Sequence, residues 1–229
     1  MPAGSFAMGS AEGEAAERPL HDVHLSAFAI SRTETTVAQY RACVAAGVCS
    51  EPDVSGELCS GIHAPNNTWL AKGSAAMPIN CVDWAQSDTF CRWVGGSLPT
   101  EAQWERAARA GDKGERYGPL DQIAWHGGNA GERVHAVATR KANAWGLHDM
   151  IGNIWEWTAD FYAADWYGRS PAKDPTGPAT GERRVSRGGG LHMKPEVLRA
   201  AYRHDERPKE RFYFLGFRCV RGAGGAPLP

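Results

Sequence analysis

The segment from 144 to 157 restricts the fold more than any other part of the chain. It places the polar groups of Asp149, Gly152, Asn153 and Glu156 among tryptophan, isoleucine, leucine and methionine side chains. Because such large apolar side chains are usually buried, the polar groups between them need hydrogen-bond partners or a cation. Carboxylate and carbonyl oxygens crowded into one tight turn are ligands that calcium prefers. The segment therefore predicts either a calcium site or a buried turn whose carboxylates bond to backbone amides.

The six cysteines are the second constraint. Their number is even, and four of them lie between positions 43 and 81. This pattern indicates a set of disulfides, and the lack of a Cys-x-x-Cys pair argues against a zinc or thioredoxin-like site. Disulfides form in oxidising compartments, so we expect an exported protein. Because no secretory signal precedes Met1, we expect a mature form or an excised domain. The alternative is a cytosolic protein with buried free thiols.

Composition and charge narrow the class of protein. With 229 residues, 42% of them hydrophobic, the chain is long enough to form one sizeable core. A formal net charge of −1 gives no reason to expect nucleic-acid binding. No apolar run reaches the roughly 18–20 residues of a membrane helix, so no membrane insertion is expected. We expect a single domain over residues 1–221 and a disordered tail over 222–229.

Three helices are predicted from capping boxes, in which a cap residue and a glutamine three positions later bond to each other's backbone. These boxes begin at Thr36, Asp83 and Thr100, and glycines follow each expected helix. Short apolar strands are expected around the helices, at positions 6–8, 23–30, 185–186 and 215–220. Glycine, proline and aspartate are frequent in the second half, which predicts long ordered loops held by disulfides or metal.

A resemblance to a known family covers nearly the whole chain. The matching motifs are, in chain order, Pro2-Ala-Gly-Ser-Phe-Ala-Met-Gly-Ser10, Thr33-Glu-Thr-Thr-Val37, Pro78-Ile-Asn-Cys-Val-Asp-Trp84, Leu98-Pro-Thr-Glu-Ala-Gln-Trp-Glu-Arg106, Asn143-Ala-Trp-Gly-Leu-His-Asp-Met150, Gly152-Asn-Ile-Trp-Glu-Trp157, Arg187-Gly-Gly-Gly190 and Leu215-Gly-Phe-Arg-Cys219. They resemble the sulfatase-modifying-factor family, whose founding member is the formylglycine-generating enzyme. The resemblance implies an α+β fold, a C-type-lectin-like variant with a twisted antiparallel sheet, flanking helices and extensive ordered loops.

The resemblance also implies a structural calcium ion in the segment that contains Asp149. Carried over residue by residue, its ligands would be the Asp149 carboxylate, the carbonyl oxygens of Gly152 and Ile154, and the Glu156 carboxylate. Asp149 replaces the asparagine that is more usual at this position, which keeps an oxygen ligand and adds a charge. The ion would hold together loops that have no hydrogen-bonded ladder of their own.

The same resemblance implies one particular disulfide. Cys91 and Cys219 resemble a pair that joins a helix to the last strand in the founding enzyme. The other four cysteines allow three connectivities. The two bonds that we expect among them are Cys43–Cys81 and Cys49–Cys59.

The resemblance breaks down at catalysis. The founding enzyme binds copper through two cysteines that follow its Arg-Gly-Gly-Ser, because thiolates suit Cu(I). Here the stretch from Leu191 to Arg203 contains no cysteine, and Met193 stands where the first one would fall. We therefore expect no copper, no catalytic residue of that type and no formylglycine formation.

The segment that lines the substrate cleft in the family remains as a candidate binding site. It carries five basic residues here, Arg187, His192, Arg199, Arg203 and His204. Tyr202 and the aromatic run 212–214 lie close to them in sequence, and such combinations are common in binding surfaces. The alternative is that Arg199 and Arg203 are packing residues paired with buried acids.

Two functions remain open from the sequence. The first is an accessory module, stabilised by calcium and disulfides, that binds a peptide or protein. The second is an oxidoreductase or maturation enzyme of the same family that acts on a peptide or secondary metabolite without the cysteine pair. We favour the module because the ligands for copper are missing.

Overall fold

The three predicted capping boxes each begin a helix. In the computed structural model, which describes residues 1–224, Thr36 Oγ1 accepts the N–H of Gln39 at 3.3 Å. The Gln39 side chain in turn accepts the N–H of Thr36 at 2.7 Å. The same reciprocal pair forms at Asp83 and at Thr100. The helices are Val37–Ala45 (α1), Trp84–Trp93 (α2), Glu101–Arg109 (α3) and the short Leu120–Ile123 (α4). All three predicted helix starts are therefore confirmed.

Within residues 1–224, eight strands accompany these helices. They are Gly4–Met8 (β1), His21–Leu25 (β2), Phe28–Ile30 (β3), Trp155–Phe161 (β4), Arg184–Arg187 (β5), His204–Glu206 (β6), Leu215–Phe217 (β7) and Val220–Gly222 (β8). The stretch predicted as one strand over 23–30 divides into β2 and β3. Between them, Ser26 donates its N–H and its hydroxyl to the Asp174 carboxylate, at 2.7 and 2.8 Å. The stretch 215–220 likewise divides into β7 and β8.

The longest of the described strands, β4, was not among the predicted strands. Its residues alternate, apolar at 155, 157, 159 and 161 and polar between them, which is typical of a strand. The polar side chains of Glu156, Thr158 and Asp160 are nevertheless buried, so the alternation does not mark a solvent-facing side.

The strands form three separate sheets within an α+β architecture, where the resemblance implied one twisted antiparallel sheet. Four strands lie in the order β6-β5-β4-β7, while β1 pairs with β2 and β3 pairs with β8. All of these pairs are antiparallel except β4–β7, which is parallel. The parallel pair is possible because the chain passes through β5 and β6, on the other side of β4, before it returns as β7.

The two largest of the hydrophobic clusters among the described residues pack helices against strands. One lies between α1, α2 and the four-stranded sheet, where the rings of Tyr40, Phe90 and Phe217 pack with centroids 5.5 to 6.4 Å apart. The other lies between α3 and the first three strands, around Trp104 and Leu25. Ring pairs at these separations stabilise a core beyond the burial of their area alone.

Three disulfides join the elements, and two of them differ from expectation. Cys91–Cys219 links α2 to the segment before β8, as the resemblance implied. The expected bonds Cys43–Cys81 and Cys49–Cys59 are wrong, because the structure has Cys43–Cys49 and Cys59–Cys81. The turn after α1 explains the first change. The N–H groups of Val48 and Cys49 both donate to the Cys43 carbonyl, at 3.2 and 3.4 Å, which brings the two cysteines to a Cα separation of 5.3 Å.

Strand β8 extends past the predicted end of the domain at residue 221. Gly222 pairs with Phe28 in β8, so regular structure reaches one residue into the segment expected to be a disordered tail. Residues 225–229 lie outside the part that the structure describes. Among the described residues, no helix combines the length and the apolar character needed to cross a membrane.

Candidate functional site

The turn predicted to bind calcium adopts a left-handed backbone at three positions. The φ angles are 54° at Asp149, 80° at Gly152 and 57° at Asn153. Glycine is required at 152, because a Cβ there would lie 2.4 Å from the carbonyl oxygen of Trp125. The Asn153 side chain donates to the Glu34 carboxylate at 3.0 Å and anchors the turn. Side-chain contacts thus hold a backbone conformation that non-glycine residues rarely adopt.

Glu156, at the far end of this turn, is already paired with a cation. Its carboxylate accepts two hydrogen bonds from the Arg218 guanidinium, each 2.7 Å long, and a third from Trp104 Nε1 at 2.8 Å. Arg218 is fully buried and also donates to the carbonyl of Ser31 at 3.2 Å. The group that neutralises Glu156 is therefore a guanidinium in a two-pronged geometry that suits carboxylates.

Two other carboxylates in this cluster have oxygens without a donor. Asp149 Oδ2 accepts the N–H of Ala138 at 2.7 Å, but Asp149 Oδ1 is buried and has no partner. Glu34 Oε1 accepts the Asn153 amide, and Glu34 Oε2 is also buried without a partner. Burial raises the pKa of Glu34 well above its usual value, and the nearby Asp149 and Glu156 add to this effect. Burial raises the pKa of Asp149 as well. A proton or an added cation would satisfy these oxygens.

These contacts fit part of the predicted calcium ligand set. Asp149 offers a buried carboxylate oxygen without a donor, which suits an oxygen-binding cation. Glu156 would have to share its carboxylate between the ion and Arg218. Within residues 1–224, no group of three His, Cys, Asp or Glu side chains is arranged to hold a metal ion. The predicted set needs only two such side chains, together with the carbonyls of Gly152 and Ile154, so calcium remains a prediction.

Sequence reasoning missed Glu34 and Arg218 as members of this cluster. Glu34 lies 119 residues from Asn153, and Arg218 lies 62 residues from Glu156. Both belong to motifs that match the family, and no other pattern in the sequence indicated that they contribute to the site.

Three arginines predicted to line a binding cleft are structural instead. Each donates to a buried glutamate, and the pairs are Arg187–Glu105 at 2.5 Å, Arg199–Glu17 at 2.6 Å and Arg203–Glu101 at 2.7 Å. The prediction that these arginines bind a ligand is therefore wrong, because donors engaged by buried carboxylates are not free for a ligand, although Arg199 does line a cavity. The alternative of packing against buried acids is correct for Arg199 and Arg203. The paired residues are 82 to 182 positions apart, so no local pattern announces them.

The two histidines of the predicted cleft both pack against aromatic rings. The ring of His204 packs against the buried Trp155, with centroids 5.0 Å apart, and its Nε2–H donates a hydrogen bond to the Glu206 carboxylate at 3.1 Å. The ring of His192 packs against Phe214 at 4.7 Å. Burial lowers the pKa of His192, which favours its neutral form.

His192 belongs to a connected group of five rings, none of which is fully buried. We call this group the aromatic surface, and it consists of His63, His192, Phe212, Tyr213 and Phe214. Phe212 stacks on Phe214 at 4.9 Å with an interplanar angle of 12°, and Tyr213 stacks on His63 at 4.8 Å. Tyr213 also meets Phe214 edge to face at 5.0 Å. The aromatic run 212–214 is thus brought together with His192 and with His63, which lies in the 3-10 helix Gly61–Asn66, whereas Tyr202 packs against Trp155 instead.

The sulfur groups of the chain cannot supply a copper site of the founding enzyme's type. All six cysteines are in disulfides, and none is free. Met193, where the first catalytic cysteine would fall, packs partly buried against the hydrophobic core. A thiolate pair for Cu(I) is therefore missing from this chain.

Comparisons with known proteins agree with this architecture. A family model described as the sulfatase-modifying factor enzyme 1-like domain matches residues 1–223. The formylglycine-generating enzyme of Streptomyces coelicolor is 32% identical, over 97% of this chain and 88% of the relative. Against the serine/threonine-protein kinase pkn1 of Chlamydia caviae the identity is 33%, over 96% of this chain but only 37% of the kinase. The structure of PvdO from Pseudomonas aeruginosa superposes with a TM-score of 0.83 at 27% identity, covering 97% of this chain and 92% of PvdO. The fold is thus the C-type-lectin-like α+β fold that the motifs implied, and the chain belongs to the sulfatase-modifying-factor family, together with formylglycine-generating enzymes.

Proposed function

We propose that this chain is a non-catalytic recognition module that binds a peptide or protein segment on the aromatic surface. The observation that carries the proposal is a change of chemistry within 191–203. Met193 stands where the first thiol of the founding enzyme would fall, and the neighbouring His192 packs against Phe214 of the aromatic surface. The six cysteines meanwhile serve only as cross-links.

The composition of the aromatic surface suits a peptide partner. Partly exposed rings gain roughly 25 cal/mol for each Å² of apolar area that a partner covers. Ile62, next to His63 in the chain, is 90% exposed and extends the apolar area. The Tyr213 hydroxyl and the His192 ring nitrogens add hydrogen-bonding groups, which a peptide backbone can match. Large apolar contacts with a few polar groups among them are typical of interfaces.

Peptides that bind the wild-type chain can be selected from a displayed library. We expect these peptides to bind the Tyr213→Ala variant at least tenfold more weakly than the wild type. Tyr213 contacts both His63 and Phe214, so its removal disrupts the centre of the surface, where anchor residues dominate binding. Trp93→Ala is the matched control, because Trp93 is also an aromatic residue that is 39% exposed but lies outside the aromatic surface. Equal losses in both variants, or none in either, would contradict the proposal.

An activity assay on the same protein preparations distinguishes a binding module from an enzyme. A sulfatase-type cysteine peptide, incubated with the chain, copper, reductant and oxygen, should be recovered unchanged by mass spectrometry. Conversion to the aldehyde would favour the second function, an oxidoreductase or maturation enzyme that holds its metal through other groups.

Structural calcium is part of the proposal. Asp149, with the carbonyls of Gly152 and Ile154, would hold the ion, and Glu156 would share its carboxylate between the ion and Arg218. The buried Asp149 Oδ1 without a donor supports this assignment. The ion would neutralise excess negative charge among Glu34, Asp149 and Glu156. It would also stabilise the left-handed turn that leads into β4.

EDTA is expected to lower the thermal midpoint of the wild-type chain, and excess calcium should restore it. An ion that binds only the folded state stabilises it by about 2.7 kcal/mol when its free concentration is a hundred times Kd. Asp149→Ala should remove the difference between the two conditions. Asp165→Ala, which removes an exposed carboxylate, should keep it. Identical midpoints for wild type in EDTA and in calcium would refute the site.

An exported location completes the proposal. Three disulfides, one of which spans 128 residues, support an oxidising compartment.

A further inference from the structure

A cavity of about 580 Å³ lies between β1, the end of α3 and the loop 111–115. Its volume falls in the range of small-molecule sites, roughly 300–1,000 Å³. It shares no residue with the aromatic surface or with the cluster around Arg218. Neither calcium nor peptide binding therefore accounts for this cavity.

The charge at the wall of the cavity is not balanced. Three arginines line it, and two of them, Arg109 and Arg199, bond buried glutamates at 2.8 and 2.6 Å. The third, Arg106, is only 6% exposed, and the one hydrogen bond of its side chain to the described residues is a long one of 3.4 Å to the Leu25 carbonyl. Within residues 1–224, no carboxylate forms an ion pair with Arg106. A buried guanidinium without a counter-ion is unfavourable, so an anionic group that enters the cavity would be attracted to it.

The backbone of β1 leaves the guanidinium of Arg106 accessible. A Cβ at Gly4 would lie 2.9 Å from Arg106 Nη2, so any larger residue at this position would crowd the donor. Burial lowers the pKa of Arg106, but an arginine keeps its charge at neutral pH. The planar guanidinium can then donate two parallel hydrogen bonds to a carboxylate, as Arg218 does to Glu156.

The remaining walls suit a flat apolar group. The Arg106 guanidinium lies 5.7 Å from the centre of the Trp145 ring, and Phe6 and Leu20 line the same space. Phe6 and Trp145 are half-buried, and Leu20 is 48% exposed. These side chains would cover an aromatic or similar group attached to the carboxylate.

The exposed lining residues restrict the charge of the ligand. Glu12, Asp112 and Glu115 are acidic, and Lys113 is basic. Three acids against one lysine repel a molecule with several negative charges, such as a polyphosphate. A single carboxylate that reaches Arg106 avoids this repulsion.

We infer that this cavity binds a ligand with one carboxylate on a flat apolar group, with the carboxylate on Arg106 and the apolar group against Trp145. Two sources share this chemistry, a free aryl acid and the carboxyl terminus of a peptide that ends in an aromatic residue. The inference does not depend on the aromatic surface or on calcium.

Titration calorimetry with 2-naphthylacetate tests the inference on the whole chain. Wild type should bind this probe and should bind the neutral 2-naphthylacetamide at least tenfold more weakly. Arg106→Gln should weaken binding of the acid at least tenfold. The affinity of Arg106→Lys should lie between those of wild type and Arg106→Gln, because lysine keeps the positive charge but cannot donate two parallel hydrogen bonds. Arg92→Gln is the control, since the Arg92 side chain is 73% exposed on α2 and does not line the cavity.

A second variant leaves Arg106 in place. Gly4→Val should also weaken binding of the acid, because its side chain crowds Arg106 Nη2. A pentapeptide that ends in a free tryptophan carboxylate, measured beside its C-terminal amide, distinguishes the two ligand sources. Binding of the free-acid peptide supports a peptide carboxyl terminus as the ligand. Binding of 2-naphthylacetate alone supports a small acid. The inference is overturned if wild type binds neither acid, if the amides bind as well as the acids, or if Arg106→Gln and Gly4→Val both bind like wild type.

Discussion

Replacing Arg218 with methionine is expected to lower the free energy of unfolding by about 3–5 kcal/mol, the usual effect of removing one partner of a buried ion pair. Arg218 is fully buried and donates two hydrogen bonds of 2.7 Å to Glu156. Without it, the buried Glu156 carboxylate would lose its guanidinium partner and would still lie near the carboxyl groups of Glu34 and Asp149. Methionine fills a similar volume, so the loss would come from the charges rather than from a cavity.

Chemical denaturation with the disulfides intact measures this loss. Arg169→Met is the matched control, because Arg169 pairs with Asp165 at 3.1 Å on the surface and both side chains are more than half exposed. Exposed pairs of this kind contribute about 0–1 kcal/mol. A double-mutant cycle with Glu156→Gln isolates the Arg218–Glu156 coupling. A loss below 1 kcal/mol for Arg218→Met would show that the cluster is not held together by this guanidinium.

Replacing both Cys91 and Cys219 with alanine is expected to lower the free energy of unfolding by about 5 kcal/mol in the chain-entropy model. This bond closes a loop whose ends are 128 residues apart, and it joins α2 to the segment before β8. Cutting it frees the unfolded chain far more than cutting Cys43–Cys49, whose cysteines are six residues apart. The short bond should contribute about 2 kcal/mol on the same basis.

Comparing the two alanine pairs by denaturant unfolding separates loop closure from the loss of sulfur packing, because all four cysteines are buried. The Cys91 and Cys219 pair should unfold at a markedly lower denaturant concentration than the Cys43 and Cys49 pair. Equal losses would mean that packing, not loop closure, governs the contribution of these bonds.

Local interactions were predictable wherever both partners lie within a few residues. The capping boxes at Thr36, Asp83 and Thr100 each span four residues, and all three form. The turn at 149–153 was recognisable for the same reason, since its glycine and its polar groups lie in one segment. Strand β4 has the alternation of apolar and polar residues that is typical of a strand, but it was overlooked because its first residues were interpreted as part of the polar turn.

Partners that lie far apart in sequence were not predictable from patterns. The arginines at 199 and 203 looked like ligand-binding groups until their glutamates, 182 and 102 residues away, were found beside them. Cys43 pairs with Cys49 only because the chain reverses directly after α1. Conversely, neighbours in sequence need not pair. Arg106 follows Glu105 directly, yet Glu105 forms ion pairs with Arg109 and Arg187 instead.

The sequence by itself determined the family, the helix starts, the absence of a cysteine pair within 191–203 and the polar turn before β4. Each of these depends on residue identity or on contacts within one short segment. Only the tertiary structure decided which charges are neutralised, which rings form a surface and which of the three arginines at the cavity has no carboxylate partner. The physical reason is that ion pairing and burial depend on distances between residues, and folding sets those distances across more than a hundred positions of the chain.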